Sequence, residues 1–167
     1  LYHKAQEILQ KREDTVVAGK DISLESLYEV GTSAGGQHTK AIIARNNHTG
    51  EIRSGQILLP SEYTYYILKF AEKDYYPLTI IEMVYSEMAK LAGITMMPSE
   101  LIKIDGDYHF LTERYDRKDG KKIHTQTLAA MNPEASSYED LMDVCDELNL
   151  PYKEKEETYR RMVFNIL

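Results

Sequence analysis

The chain has 167 residues, 43% hydrophobic and 28% charged, a balance that suits a folded core and excludes a disordered chain. Its formal net charge of −7 is a poor footprint for gripping nucleic acid, which calls for clustered Lys and Arg. The lone Cys145 excludes an internal disulfide, no Cys/His cluster has zinc spacing, and no apolar run nears the roughly 18 residues of a membrane helix. With no signal-peptide core at the N-terminus either, the expectation is a soluble, cytoplasmic chain with no direct hold on membrane or nucleic acid.

Residues 2–12 place Ala5, Ile8 and Leu9 at helical spacing. Ser23 opens a second helical turn over 24–28, with Ser26 leaving only half a capping box. The periodicity then changes. Residues 40–45 are β-rich, 47–50 form a turn, and 51–58 return as the hairpin partner. Residues 63–70 make a stronger strand, with Thr64, Tyr66, Leu68 and Phe70 on one face. Pro77 starts a helix over 78–91 that ends at Gly93, and Ile81, Val84, Tyr85, Met88 and Leu91 supply its buried stripe. Residues 101–104 and 108–115 form a hairpin around Asp105-Gly106, the strongest turn signal in the chain. Beyond Gly120 the pattern is helical: Ser137 caps 138–148, Pro151 punctuates, and 154–167 is the last helix. Strands with one helix, followed by helices alone, predict an α+β fold. The chain starts at Leu1 without an initiator Met and stops inside an apolar helical stretch lacking a stop signal, so a fragment at both ends is expected.

The stretch richest in chemistry is Gly31-Thr-Ser-Ala-Gly-Gly-Gln-His-Thr-Lys40. Glycines allow positive φ and close approach to a ligand, so successive N–H groups can form an anion nest, to which Lys40 adds a point charge. Lys40 opens a strand rather than a helix, so this is not a Walker A loop. The plain alternative is a loop whose glycines serve tight turns. Further on, Lys69 lies near the end of an apolar strand, where a charge is expensive unless paired, and Glu82 follows in the next helix. Each alone reads better as a solvated side chain; in chain order, loop, strand Lys, helix Glu and hinge-like strand fit a kinase-like nucleotide site.

That loop, Ile67-Leu-Lys-Phe70, Thr112-Glu-Arg-Tyr-Asp-Arg117, Ile123-His-Thr-Gln-Thr127 and Ser137-Tyr-Glu-Asp-Leu141 together resemble the C-terminal kinase region of HipA-like toxins, from Ser33 onward. The resemblance implies a protein-kinase-like fold: an antiparallel-sheet N-lobe with one packed helix, then the start of a helical C-lobe. After the helical segment that the spacing places over 1–30, it implies the N-lobe over 31–118 and the beginning of the C-lobe over 119–167. Gly35, Gly36, Gln37, His38, Thr39 and Lys40 would surround ATP phosphates, and Lys69, oriented by Glu82, would contact them from the strand. Glu113, Arg114 and Tyr115 would form the hinge against adenine. Ser33 aligns with the serine that such kinases autophosphorylate; its other reading is a turn-forming hydroxyl. Asp116 and Arg117 are expected to pair or cap the hinge, and His124 to be structural.

The implied activity is transfer of the ATP γ-phosphate to Ser or Thr of a protein substrate, by the toxin of a toxin–antitoxin pair whose antitoxin binds DNA. This sequence departs from the family in one respect. No Asp-x-His-x-Lys-Asn-type catalytic loop occurs in it, so the catalytic Asp and the Mg²⁺ ligands are expected downstream of Leu167, and this stretch alone is expected to be inactive. The rival reading is a non-catalytic nucleotide- or partner-binding module.

Overall fold

The computed structural model describes residue 27 and residues 38–72 and 77–166. The expected helices over 2–12 and 24–28 lie outside them, except that Leu27 is helical and fully buried. The chain divides into two compact units, one drawn from Leu1–Tyr85 and Met97–Ile123, the other from Ser86–Met96 and His124–Leu167.

The first unit is built on an antiparallel sheet of β1 (Lys40–Asn46), β2 (Ile52–Ser54), β3 (Tyr63–Lys69), β4 (Ser99–Ile104) and β5 (Asp107–Glu113), in the order β2-β1-β3-β5-β4. With the strands and helix α1 (Leu78–Leu91) preceding three later helices, the fold is α+β. Register follows from the pleat, because directly opposed residues share a face. One face carries Ala41, Ile43, Tyr66, Leu68, Leu111 and Ile104, which with Leu27, Ile52 and Phe70 form the main core. The other carries Ala44, Tyr63 and Tyr65, packed with Leu59. Thr64 does not join the core: its hydroxyl reaches Asn47 Oδ1 at 2.9 Å.

The return strand is shorter than 51–58. At Gly55 the chain passes so close to β1 that a Cβ would lie 2.7 Å from the Ile43 carbonyl oxygen, and the chain then leaves the sheet edge. The Tyr65 hydroxyl pins the departing segment, accepting the Leu59 N–H at 2.7 Å and donating to the Ile57 carbonyl at 3.1 Å. Asp105 and Gly106 take φ of 52° and 94°, the doubly left-handed turn that an Asp-Gly hairpin requires. The hairpin's second strand stops at Glu113, short of residue 115.

Helix α1 has the expected bounds. Gly93, at φ 77°, closes it with a bond to Lys90 O while Ile94 N–H reaches Ala89 O, the paired bonds of a Schellman cap. Its face is the reverse of the expected one. Ile81, Val84, Tyr85, Met88 and Leu91 are exposed, Leu91 by 88%, whereas Thr79, Ser86 and Ala89 are buried. The helix is turned roughly 150° from the expected stripe. The small residues face inward because Thr79 Oγ1 donates to Tyr108 O at 2.7 Å and Glu82 reaches Lys69 from the same side.

Beyond the sheet, β6 (Arg117–Lys118) and β7 (Lys121–Lys122) form a small hairpin that the helical pattern does not announce. In the second unit α2 (Leu128–Met131) is a single turn capped by Thr127. Ser137 and Asp140 form a full capping box at the start of α3 (Tyr138–Glu147). The last helix, α4 (Tyr152–Ile166), starts two residues earlier than expected, directly after Pro151. It buries no residue fully, and it holds the segment after α1: Glu157 accepts the Thr95 N–H at 2.8 Å, and Arg160 donates to Gly93 O at 2.6 Å. Among the described residues no helix is long and apolar enough to cross a membrane.

Candidate functional site

Lys40 and Lys69 stand directly opposite each other on β1 and β3, so both side chains rise from one face of the sheet. Lys69 is half-buried and its Nζ lies 2.5 Å from Glu82 Oε1, which meets the cost of placing a cation at the end of an apolar strand. The same ammonium stands 5.9 Å from the centre of the Phe110 ring, its register partner on β5. Glu82 is not fully satisfied, because its Oε2 is buried without a partner. Lys40 makes no ion pair among the described residues.

Lys69 and Glu82 open onto a cavity of about 350 Å³. Its walls are the exit of β3 (Phe70, Ala71, Glu72), the first turn of α1, the β4–β5 turn and His38. Glu72 ties the cavity to the end of the glycine-rich stretch: its Oε1 accepts the Thr39 N–H at 3.3 Å and lies 3.4 Å from His38 Nδ1. Glu72 carries no sequence signal, since its partner is a backbone group 33 residues away.

Glu113, Arg114 and Tyr115 do not line this cavity. Glu113 ends β5 opposite Tyr66, three register positions from Lys69, and Arg114 and Tyr115 follow it away from that lysine. Glu113 N–H donates to Pro98 O at 2.9 Å and Arg114 N–H to Tyr65 O at 2.8 Å, so both are committed to the sheet. The Tyr115 ring is 63% exposed. Asp116 organises the segment: it receives Arg114 through both carboxylate oxygens, at 2.8 and 2.7 Å, and Arg117 at 2.8 Å. The Arg114 hydrogen bond, reinforced by both guanidinium charges, holds the Asp116 carboxyl below the usual carboxylate range. The expected Asp116–Arg117 pairing is therefore present, with Arg114 as a third member. His124 is exposed.

Gly31, Ser33, Gly35, Gly36 and Gln37 lie outside the described residues. Of the expected site, the structure brings together His38, Thr39, Lys40, Lys69 and Glu82. Residues 32–167 match the family model of the HipA-like C-terminal domain. The chain belongs to that family. No curated protein and no solved structure is similar enough to the chain to match it. Within this HipA-like domain, no group of three or more His, Cys, Asp or Glu side chains among the described residues could hold a metal ion.

Proposed function

We propose that this HipA-like domain is the ATP-binding part of a protein serine/threonine kinase, with the sheet, α1 and the 113–117 segment as a kinase-like N-lobe. The observation that carries the reading is the Lys69–Glu82 pair beside an open cavity. A strand lysine held by a helix glutamate is a preset point charge for phosphate oxygens, fixed in position before the ligand arrives. Family membership over residues 32–167 supports the same reading.

In this reading Lys40 adds a second cation on the same face, and the N–H groups of residues 35–38 cradle the phosphates, the Thr39 N–H being held by Glu72. Ile42 and Ile67 are opposed in register on that face, two positions from the lysines and toward Tyr115, and roof the base. Because Glu113 and Arg114 have committed their N–H groups, the hinge donor is the Tyr115 N–H. Residues 31–118 are then the nucleotide lobe, 119–167 the start of the helical lobe, and 1–30 a preceding helical segment. The parent protein transfers the γ-phosphate to Ser or Thr of a protein in the cytoplasm, as the toxin of a pair with a DNA-binding antitoxin. The accompanying Mg²⁺ rests on ligands other than the described residues.

Isothermal titration with Mg-ATP, run beside thermal melting, tests the site. Lys69→Ala removes a charge-assisted phosphate contact and is expected to weaken binding roughly 10- to 100-fold. It costs the fold about 1 kcal/mol or less, because the ion pair is a third exposed on each side. Unchanged affinity with a normal melt removes Lys69 from the site. Binding without phosphate transfer by the parent protein would favour a non-catalytic module.

A further inference from the structure

His109 is the only buried imidazole among the described residues, and the phosphate contacts proposed for Lys40 and Lys69 make no use of it. It lies on β5, fully enclosed, its ring edge-on to Phe70 with centroids 5.7 Å apart. Both ring nitrogens meet backbone groups. Nδ1 lies 3.0 Å from the Ala71 nitrogen, and Nε2 lies 3.3 Å from the Ile104 carbonyl oxygen.

Those partners fix the tautomer. An amide N–H can only donate, so Nδ1 must be bare; a carbonyl can only accept, so Nε2 must carry the proton. A doubly protonated ring would set one N–H against another and place a charge where no described carboxylate reaches it. The neutral Nε2–H ring is thus a two-sided clamp. On one side it holds the exit of β3, and on the other the end of β4.

Both segments are walls of the cavity beside Lys69, with Phe70, Ala71 and Glu72 following β3 and Gly106 in the turn after β4. The connection continues outward, because Glu72 accepts the Thr39 N–H and faces His38. A bond made in the sheet interior is thereby relayed to the end of the glycine-rich stretch.

We propose that His109 is a positioning residue for a nucleoside triphosphate: as its Nε2–H tautomer it fixes the Phe70–Glu72 exit and, through Glu72, the loop end at His38 and Thr39. The ligand class rests on the ATP reading of the site; the clamp does not. His109 touches no ligand and acts only by holding the main chain that does.

Three variants of the full chain separate this from a merely well-packed histidine. In His109→Asn the amide oxygen falls near Nδ1 and still accepts the Ala71 N–H; in His109→Gln the amide reaches toward Nε2; His109→Leu keeps bulk and loses both bonds. All three are expected to melt lower. The Mg-ATP dissociation constant should stay within roughly threefold for Asn and rise about tenfold for Leu and Gln. Hydrogen exchange at the Ala71 and Glu72 amides should quicken in Leu and Gln and stay slow in Asn. Affinity that follows melting temperature alone, Asn included, overturns the proposal. So does a ¹⁵N spectrum showing the Nδ1–H tautomer or the cation. If the wild-type chain binds no Mg-ATP, the nucleotide reading fails, while exchange and tautomer still decide whether the clamp exists.

Discussion

Replacing Tyr65 with Phe isolates one hydroxyl that holds the 55–62 connection to the sheet. Tyr65 is 2% exposed, and its oxygen serves the Leu59 N–H and the Ile57 carbonyl together. Phenylalanine preserves the ring, its place in the second core cluster, and the Arg117 guanidinium 5.8 Å from its centre. What is lost is two hydrogen bonds, each worth about 1 kcal/mol net, and the buried Leu59 donor then has no partner. The sum is about 2–3 kcal/mol, or a fall in melting temperature of roughly 5–10 °C for a chain of this size. Tyr63→Phe is the internal control: its hydroxyl meets Glu51 at 2.8 Å, but Glu51 retains Arg53 at 2.6 Å, so the expected cost is below about 1 kcal/mol. Urea titrations of both variants give the comparison, and exchange at the Leu59 amide localises it. Equal costs for the two, or an unaltered Leu59 amide, would refute the pin.

Asp116→Asn should cost about 1–2 kcal/mol at neutral pH and flatten the acid limb of the stability profile. The folded-state carboxyl is depressed, so its stabilisation is complete above the ordinary value of 3.8 and fades as pH falls below that toward the lower one; an acid limb identical to wild type counts against it. Gly55→Ala forces a Cβ into the Ile43 backbone and should cost about 1–3 kcal/mol, whereas Gly50→Ala, at φ 73° in open space, should cost about 1 kcal/mol of strain; reversed ranking in urea melts would contradict the packing at Gly55. On the ATP reading, Ser33→Asp should weaken Mg-ATP binding more than Ser33→Ala, by calorimetry at low salt, because a carboxylate would compete for N–H groups that this reading gives to phosphates; equal affinities would place Ser33 away from the nucleotide.

Where backbone chemistry is local, the sequence is legible. Asp105-Gly106 dictates its turn, and Gly93 dictates the end of α1, since each needs a φ that few other residues accept. The same turn chemistry recurs at Asp119 and Gly120, at φ 50° and 70°, yet that hairpin hides in the sequence because charged residues flank it and no hydrophobic alternation marks the strands. The α1 face is hidden for a related reason. Counting apolar residues selects Ile81, Val84, Tyr85 and Met88, but the inward face is set by Glu82 and Thr79 meeting particular partners on the sheet. Of the site, Lys69 and Glu82 are legible because a charge in an apolar strand asks for a partner nearby in the chain. His109 and Glu72 give no such signal: each bonds to the main chain more than thirty residues away, and any residue type supplies that partner.

The pairing of β3 with β5 has a consequence for synthesis on the ribosome. β1–β2 and β4–β5 are joined by short turns, and β1–β3 spans one short strand; only β3–β5 bridges a helix and a further strand. Its four register pairs, Tyr66 with Glu113 through Lys69 with Phe110, wait until β5 has emerged. About 40 residues separate the end of β3 from the end of β5, a delay of roughly 2–9 s at ordinary elongation rates. Through that interval β3 presents an open edge carrying Tyr66, Ile67 and Leu68, the kind of edge on which nascent chains pair with one another. Lys69, the last residue of β3, leaves a charge at the end of that edge before Glu82 has emerged to pair with it.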